Sequence, residues 1–376
     1  MKVGVPTEIK KDEYRVAITP AGVRELVDAG NEVVIQAGAG EGSAITDSDY
    51  VEQGAMMLPD ADAVFAEADM IVKVKEPQPE EVARLESRHT LFTYLHLAPD
   101  PDLTQGLVDS GATCIAYETI EDRNGRLPLL APMSEVAGKL ATQAGAFMLE
   151  KPLGGRGALL GGVPGVAAAK VMVIGGGVVG TNAAIISIGM QGETYVYDRN
   201  IDRLRQLEIE LQGRASTCFA STLEIEQRLP EVDLVIGAVL VHGAKAPHVI
   251  NREQLKMMKP GAVLVDVSID QGGCFETSRP TTHSDPTYEV EGVIHYCVAN
   301  MPGAVPITST YALTNATMPY VVGLARLGVH QSVAKDAGFG LGVNVAAGAV
   351  TSAPVAEALG VQCVDLDSAL ADVIQR

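Results

Sequence analysis

Six polar residues stand where apolar runs of the chain end or open into loops. Lys75 follows MIVKV, His96 lies near the end of TLFTYLHLA, Glu118 follows TCIAYE, Asp270 closes AVLVDVSID, Asn300 follows HYCVA, and Arg15 sits in the polar stretch EIKKDEYR. Ligands of open α/β sheets bind beyond the carboxyl ends of the strands, so these are the places where chemistry is expected. An imidazole exchanges a proton near neutral pH, which suits His96 to general acid/base work, although the same position also fits a hydrogen-bonded structural histidine. Lys75 and Arg15 read equally as solvated surface cations. Asp270, with Gly272 and Gly273 close behind it, also reads as a turn residue. Glu118 has no second carboxylate or histidine at ligand spacing nearby, so no metal site can be argued.

A second constellation is more specific. The apolar run KVMVI leads directly into GGGVVG, which places Gly175, Gly177 and Gly180 in the G-x-G-x-x-G spacing ahead of the helix-forming NAAIISIGM. The first glycine permits the tight turn, the second lets the backbone approach a pyrophosphate, and the third lets helix and strand pack closely. Asp198 ends the next apolar run, TYVYD, where a carboxylate accepts hydrogen bonds from adenosine ribose hydroxyls and repels a 2′-phosphate. NAD is therefore expected over NADP, with the adjacent Arg199 as the counter-argument. A plain helix cap before Ile201 is the bland reading of Asp198.

These residues need rigid elements to hold them. Strands are predicted at Val3–Val5, Glu32–Gln36, Met70–Val74, Thr90–Leu97 and Thr113–Glu118, with helices between them. One helix opens at Thr19-Pro20 and ends at Gly30; Pro79 and Pro101 mark two more starts. Alternation along Thr90–Leu97 puts Phe92, Tyr94 and His96 on one face, with Leu91, Thr93, Leu95 and Leu97 on the other. A helix-forming segment, residues 134–150, and the glycine-rich GGRGALLGGVPG mark a domain crossover. A second α/β series follows, with strands at Val171–Ile174, Thr194–Tyr197, Leu234–Val239, Ala262–Val267 and Val293–Val298. Helices are expected from about Val178, over Ile201–Leu211, over Thr308–Leu327 and over Ala353–Leu359. The architecture predicted is α/β.

Composition narrows the function. With 376 residues, 47% of them hydrophobic, the chain is long enough for two cores, and a cleft between two domains is the natural binding site. A net charge of -19 repels phosphate backbones and anionic lipid, so neither nucleic acid nor membrane is an expected partner. Cys114, Cys218, Cys274, Cys297 and Cys363 are odd in number and scattered, without a CxxC pair, and are expected to be buried reduced thiols. The start lacks the apolar run of a signal peptide and no apolar run reaches spanning length, so a reducing cytoplasm is expected.

The strings RVAITPAGV, IVKVKEP, LFTYLHLAPD, LPLLAPMSEVAGKLA, GGRGALLGGVPGV, VDVSIDQGGCFETSRPTTH and VANMPGAVPITSTYALTNATMPYV, spread over nearly the whole chain, resemble the alanine dehydrogenase family. The GGC-x-E-x-SRPTTH and ANMP-x-x-VP-x-TST-x-ALTNATMPY strings carry the most weight, because no generic fold explains them. The resemblance implies an NAD-dependent oxidoreductase interconverting L-alanine with pyruvate and ammonia, usually a homohexamer. It implies two Rossmann-like domains with substrate in the cleft between them: a discontinuous catalytic domain, residues 1–128 plus 307–376, and an NAD-binding domain, residues 129–306. By motif, Arg15 and Lys75 resemble the groups that bind the substrate carboxylate and carbonyl oxygen, with Asn300 beside them, and His96 and Asp270 resemble the acid/base pair. Ser134, Val178, Val179, Asp198, Arg203, Val239, Leu240, Val267, Ser268, Ile269, Asp270, Arg279, Val298, Ala299, Asn300 and Met301 resemble NAD-contacting positions beside Gly175, Gly177 and Gly180. Ala220 precedes Ser221 where the family often has a serine, a departure that affects one adenosine-side contact. Some family members place a magnesium ion near the position of Glu118 with a histidine at the position of Leu327; that partner is absent here, and no metal site is expected.

Three rival functions share parts of this pattern. A nicotinamide nucleotide transhydrogenase alpha-like subunit would bind NAD without an amino-acid pocket and works beside a membrane channel. A lysine- or saccharopine-type dehydrogenase and a redox-sensing NAD-binding protein without turnover are the others. The set Arg15, Lys75, His96 and Asp270 favours the alanine enzyme.

Overall fold

A computed structural model describes residues 1–239 and 247–374 of the chain. Its contacts divide into two compact units, Met1–Met133 with Val305–Arg376, and Ser134–Ala304.

The first unit is built on an eight-stranded sheet. From edge to edge its strands are Ala349–Val350, Val343–Ala346, Thr113–Ala116, Thr90–Thr93, Met70–Val72, Lys2–Val5, Glu32–Gln36 and Met56–Leu58. The six strands from the N-terminal part of the chain run parallel, in the sequence order 3-2-1-4-5-6 of a doubly wound fold. Val343–Ala346, from the C-terminal part of the chain, closes the sheet by pairing antiparallel to Thr113–Ala116. The parallel strands are mainly apolar because helices cover both faces, as burial of Val3, Val5, Val34, Met70, Ile71, Leu91, Phe92, Cys114 and Ile115 requires. Helix starts follow local chemistry. The Thr19 hydroxyl accepts from the Gly22 N–H ahead of Pro20–Asp28, and the Asp100 carboxylate accepts from Leu103 ahead of Pro101–Ser110.

The second unit repeats the scheme with seven strands. Their order is Thr287–Val290, Val293–Tyr296, Val263–Asp266, Leu234–Gly237, Lys170–Ile174, Glu193–Asp198 and Ser216–Phe219. All pairs are parallel except Thr287–Val290 on Val293–Tyr296. One apolar cluster, including Val171, Val173, Ala183, Val196, Leu207, Ile236 and Val265, packs on one face. Another, including Met172, Ile174, Tyr197, Val235, Leu264 and Phe275, packs on the other.

Several expectations are corrected. The strand at Thr90 ends at Thr93, so strict alternation stops before His96, whose φ of 50° puts it in the left-handed region. Ala116 and Asp266 likewise end strands that were expected to continue, and 3-10 turns at Tyr117–Thr119 and Val267–Gln271 take over. The long helix runs Pro306–Lys335 and is interrupted at Gly328, where φ is 72° and ψ 172°. The edge strands Met56–Leu58 and Ser216–Phe219, only three and four residues long, and the helix Leu366–Ile374 are elements beyond those expected from the sequence. All five cysteines are free, but Cys218 is only half-buried and Cys363 is exposed, against the expectation of five core thiols. Among the described residues no helix is long and apolar enough to cross a membrane.

Candidate functional site

In a sheet of order 3-2-1-4-5-6 the strand sequence reverses between the first and fourth strands, and the loops leaving their carboxyl ends open a crevice. In the first unit those strands are Lys2–Val5 and Met70–Val72, with Thr90–Thr93 beside them. Arg15 lies on the loop after the first, Lys75 just beyond the second, and His96 just beyond the third. All three residues therefore follow adjacent strand ends.

Their settings differ. Arg15 is 2% exposed. Its Nε and Nη2 donate to the two oxygens of Glu13 at 2.6 and 2.5 Å, a bidentate pairing that fixes the guanidinium plane, and Nη1 lies 3.1 Å from the Met133 sulfur. Burial opposes its charge, yet the bond and field of Glu13 outweigh this and hold the guanidinium above its ordinary pKa.

Behind Lys75 is a fully buried ion cluster. Lys73 Nζ lies 2.9 Å from Glu8 Oε2 and 2.7 Å from Glu81 Oε1. Burial pulls the Lys73 pKa down, and the two carboxylates together more than reverse that, so the amine stays charged. Burial, with the nearby Glu81, pushes Glu8 up. Glu8 also accepts the Val74 N–H at 2.7 Å and lies 3.4 Å from the Lys75 nitrogen, while the Thr93 hydroxyl donates to the Lys75 carbonyl at 2.9 Å. The Lys75 backbone is thus held from both sides. Glu76, next in sequence, pairs with Lys10; burial raises its carboxyl, but Lys75, Lys10 and His96 together bring it below the usual range.

His96 is held by its neighbours. Its ring stacks on Tyr94 with centroids 5.7 Å apart and 5° between planes. Tyr94 is itself anchored, its hydroxyl donating to the Leu129 carbonyl at 2.6 Å. Glu118 accepts the N–H groups of Leu95 and His96, at 3.2 and 2.6 Å to the same oxygen, and that oxygen is 3.8 Å from His96 Nδ1. Spacing alone gave no partner for Glu118; the structure puts its carboxylate under the His96 turn.

In the second unit the corresponding reversal falls between Lys170–Ile174 and Leu234–Gly237. Gly175 has φ 104°, and a Cβ there would sit 2.4 Å from the Ala238 carbonyl. A Cβ on Gly180 would be 1.8 Å from the Gly175 carbonyl, so helix and strand touch through bare backbone. A Cβ on Gly177 would meet nothing within 4 Å. This glycine caps the twelve-residue helix Val178–Gly189, which has no side-chain cap. Open space over uncapped N–H groups is what a pyrophosphate needs, and the residues fit that group. Asp198 accepts the Gly176 N–H at 2.8 Å and the Asn200 N–H at 2.8 Å. Arg203 braces the same turn, donating to the Gly176 carbonyl at 2.6 Å and the Thr181 hydroxyl at 2.7 Å.

The remaining candidates divide by exposure. Asp270 is exposed on the Val267–Gln271 turn, and Asn300 is half-buried with φ 61°. The turn is organised by Asp266, fully buried, which accepts from Ser268 N, Cys274 N and the Ser278 hydroxyl at 3.0, 2.9 and 2.5 Å; burial raises its pKa above the ordinary carboxylate value. Ser268 in turn donates to the Val239 carbonyl at 2.7 Å. Ile269, Val298 and Met301 are buried; Ser134, Val179, Ala220, Val267 and Ala299 are half-buried and Val178 is exposed. The Arg279 guanidinium stacks 4.0 Å over the Tyr288 ring. Leu240 lies outside the described residues. His96 belongs to the first unit and Asp270 to the second.

Sequence reasoning passed over Glu8, Glu13, Lys73, Glu81 and Asp266. One signal was available: a lysine at position 73 inside the apolar MIVKV must be paired if it is buried.

Two doubly wound sheets, one carrying a strand, glycine turn and helix in register with an acid, define a fold of the dinucleotide-binding class. Within that class the chain belongs to the alanine dehydrogenase/PNT family: residues 4–137 match the model "Alanine dehydrogenase/PNT, N-terminal domain" and residues 141–353 the model "Alanine dehydrogenase/PNT, C-terminal domain". It is 58% identical to an alanine dehydrogenase of Halomonas elongata, over 98% of this chain and 99% of that one. It is 56% identical to an alanine dehydrogenase of Mycobacterium tuberculosis, over 99% of this chain and 100% of that one. A solved structure titled L-alanine dehydrogenase superposes with a TM-score of 0.93 at 48% identity, covering 96% of this chain and 99% of the other.

Proposed function

We propose that this chain is an NAD-dependent L-alanine dehydrogenase, interconverting L-alanine with pyruvate and ammonia. The observation that carries the reading is the trio Arg15, Lys75 and His96 at adjacent strand ends of one unit, a set of cationic and proton-exchanging groups suited to a small carboxylate substrate. Family membership over the full chain supports it.

Gly175, Gly177, Val178, Val179 and Gly180 would hold the dinucleotide's pyrophosphate through main-chain N–H groups, and Asp198 its adenosine ribose. Bound NAD supplies the hydride acceptor for C2 of alanine. Arg15, its plane fixed by Glu13, binds the substrate carboxylate through its guanidinium. Lys75 directs its ammonium at the substituent on C2, where an oxygen gains negative charge as water adds to the imine, and stabilises that charge. His96 takes and returns protons at its imidazole during water addition and ammonia loss, with Asp270 as the second proton-exchanging group. Preference for NAD over NADP, a cytoplasmic location and a homohexameric assembly belong to the same reading. The exposed Leu159, Val163 and Val166 of the second unit support self-association.

Two measurements test it. NAD reduction must follow addition of L-alanine and not of water alone. His96→Ala must keep NAD binding while losing on the order of 10²- to 10⁴-fold in turnover, the scale of a general acid/base contribution. Retention of more than half the wild-type turnover would return His96 to a structural role. Sedimentation of the purified chain decides the assembly, and titration with both cofactors decides the preference.

A further inference from the structure

The left-handed backbone at His96 is an uncommon state for a residue with a Cβ, and sets the direction in which its ring leaves the chain. One side chain, that of Glu118, accepts the backbone donors of this turn. Glu118 stands on the turn that follows Thr113–Ala116, the strand paired in parallel with Thr90–Thr93. Its carboxylate collects two successive N–H groups past the end of the ladder, Leu95 at 3.2 and 3.3 Å to its two oxygens and His96 at 2.6 Å. Charged acceptors make the stronger hydrogen bonds, and consecutive donors converge on one acceptor only if the backbone between them is bent. The ring that results lies flat on Tyr94.

The magnesium site that the family resemblance puts at Glu118 does not fit these residues. The carboxylate is turned to backbone donors, position 327 is leucine, and among the described residues no group of three or more His, Cys, Asp or Glu could hold a metal ion. We propose that Glu118 is a positioning residue for His96: it fixes the left-handed turn and so the place and aim of the imidazole, without touching substrate, cofactor or metal. The proposal rests on the reading of His96 as the acid/base of alanine oxidation.

Its test is a double-mutant cycle on the full-length protein, with Glu118→Ala, Glu118→Gln, His96→Ala and the double variant Glu118→Ala/His96→Ala. Loss of the brace displaces the imidazole by a fraction of an ångström to an ångström, so Glu118→Ala should lower kcat for L-alanine by up to about 100-fold. Glu118→Gln retains one acceptor oxygen and should recover part of that loss, and the KM for NAD should stay within about twofold. In the His96→Ala background the Glu118→Ala change should cost nothing further, because there is no imidazole left to aim. Hydrogen exchange over residues 94–97 should quicken in Glu118→Ala. An equal loss of kcat with and without His96, unchanged kcat despite quickened exchange, or chelator inhibition reversed by magnesium in wild type but not in Glu118→Gln would each overturn the proposal. A wild-type protein with no L-alanine-dependent NAD reduction would instead overturn the proposed function, with the exchange data still reporting whether the carboxylate holds the turn.

Discussion

Replacing Lys73 by methionine keeps the length and packing of the side chain and removes its charge from between Glu8 and Glu81. At separations of 2.9 and 2.7 Å each pair is worth about 6 kcal/mol of attraction at an effective dielectric near 20, before the cost of taking the charges out of water. That cost cancels much of the sum, and removal of one partner from a buried pair leaves a net loss of about 3–5 kcal/mol. The loss must also depend on pH. Without the amine, Glu8 faces desolvation and the charge of Glu81 with nothing to offset them, so its folded-state pKa, already raised, climbs further. A carboxyl whose pKa is raised on folding contributes its stability below the unfolded value of 4.5 and loses it as pH rises through the folded value. The deficit of Lys73→Met relative to wild type should therefore be large at pH 8 and shrink as pH falls toward 5. Urea unfolding followed by circular dichroism at both pH values reads this difference, and hydrogen exchange at Val74 reads whether Glu8 still holds the backbone ahead of Lys75. A deficit below about 1 kcal/mol, or one that is the same at both pH values, would refute the account of the cluster as one cation balancing two buried carboxylates.

Further outcomes follow from the other groups. Asp198→Ala should weaken NAD binding and narrow the gap to NADP, since the carboxylate both accepts from ribose hydroxyls and repels a 2′-phosphate; equal wild-type affinities for the two cofactors would mean that Arg199 overrides it. Arg15→Lys should chiefly raise the KM for pyruvate and alanine, because the carboxylate it binds is present in ground and transition states alike. Lys75→Ala should lower kcat as well, by roughly 10²-fold or more, and NADH dissociation constants should barely move in either variant. Thermal stability should fall as pH drops from 8 to 5.5 through the protonation of His89 and His295. Burial holds both imidazoles below the ordinary 6.5, so the unfolded chain takes up protons that the folded chain refuses, and stability present above that value is lost as pH falls. For His89 the geometry agrees, since Nδ1 accepts the Glu86 N–H at 2.8 Å and a second proton would break that bond; His89→Gln should flatten the slope, and an unchanged slope would remove the residue from the account.

What could be read without coordinates is what depends on neighbours in sequence. The glycine turn is local: strand, turn, helix and acid lie within about thirty residues, and each glycine answers a constraint that residue type alone states. Lys75, His96 and Asp270 were placed by the rule that ligands gather at strand ends, although all three stand past strands that stop earlier than apolar run length suggests. The supporting carboxylates were not legible, for a physical reason. Glu8 meets Lys73 across 65 positions and Glu118 meets His96 across 22, contacts created by the order of strands in the sheet, which periodicity does not encode. The φ of His96 is hidden for the same cause, since the donor groups that bend the chain find their acceptor on a neighbouring strand's turn.

Both carboxylates answer one problem that a strand end creates. Inside the sheet each N–H has a carbonyl opposite it, as Lys73 N–H has Phe92; beyond the last rung the next donors lose that partner exactly where the chain must diverge to open a crevice. Water could satisfy them, but water would leave the backbone free to move and would compete with substrate for the same cations. A glutamate from the adjoining loop satisfies the donors and fixes the bend. Glu8 does this at Val74 ahead of Lys75, Glu118 does it at Leu95 and His96, and Glu13 does it for the side chain of Arg15. Each buried charge is costly on its own, and the cations and carboxylates are tolerable only as sets. If Arg15, Lys75 and His96 carry turnover as proposed, acidic residues help set their aim, and substitutions confined to those three would leave that contribution untested.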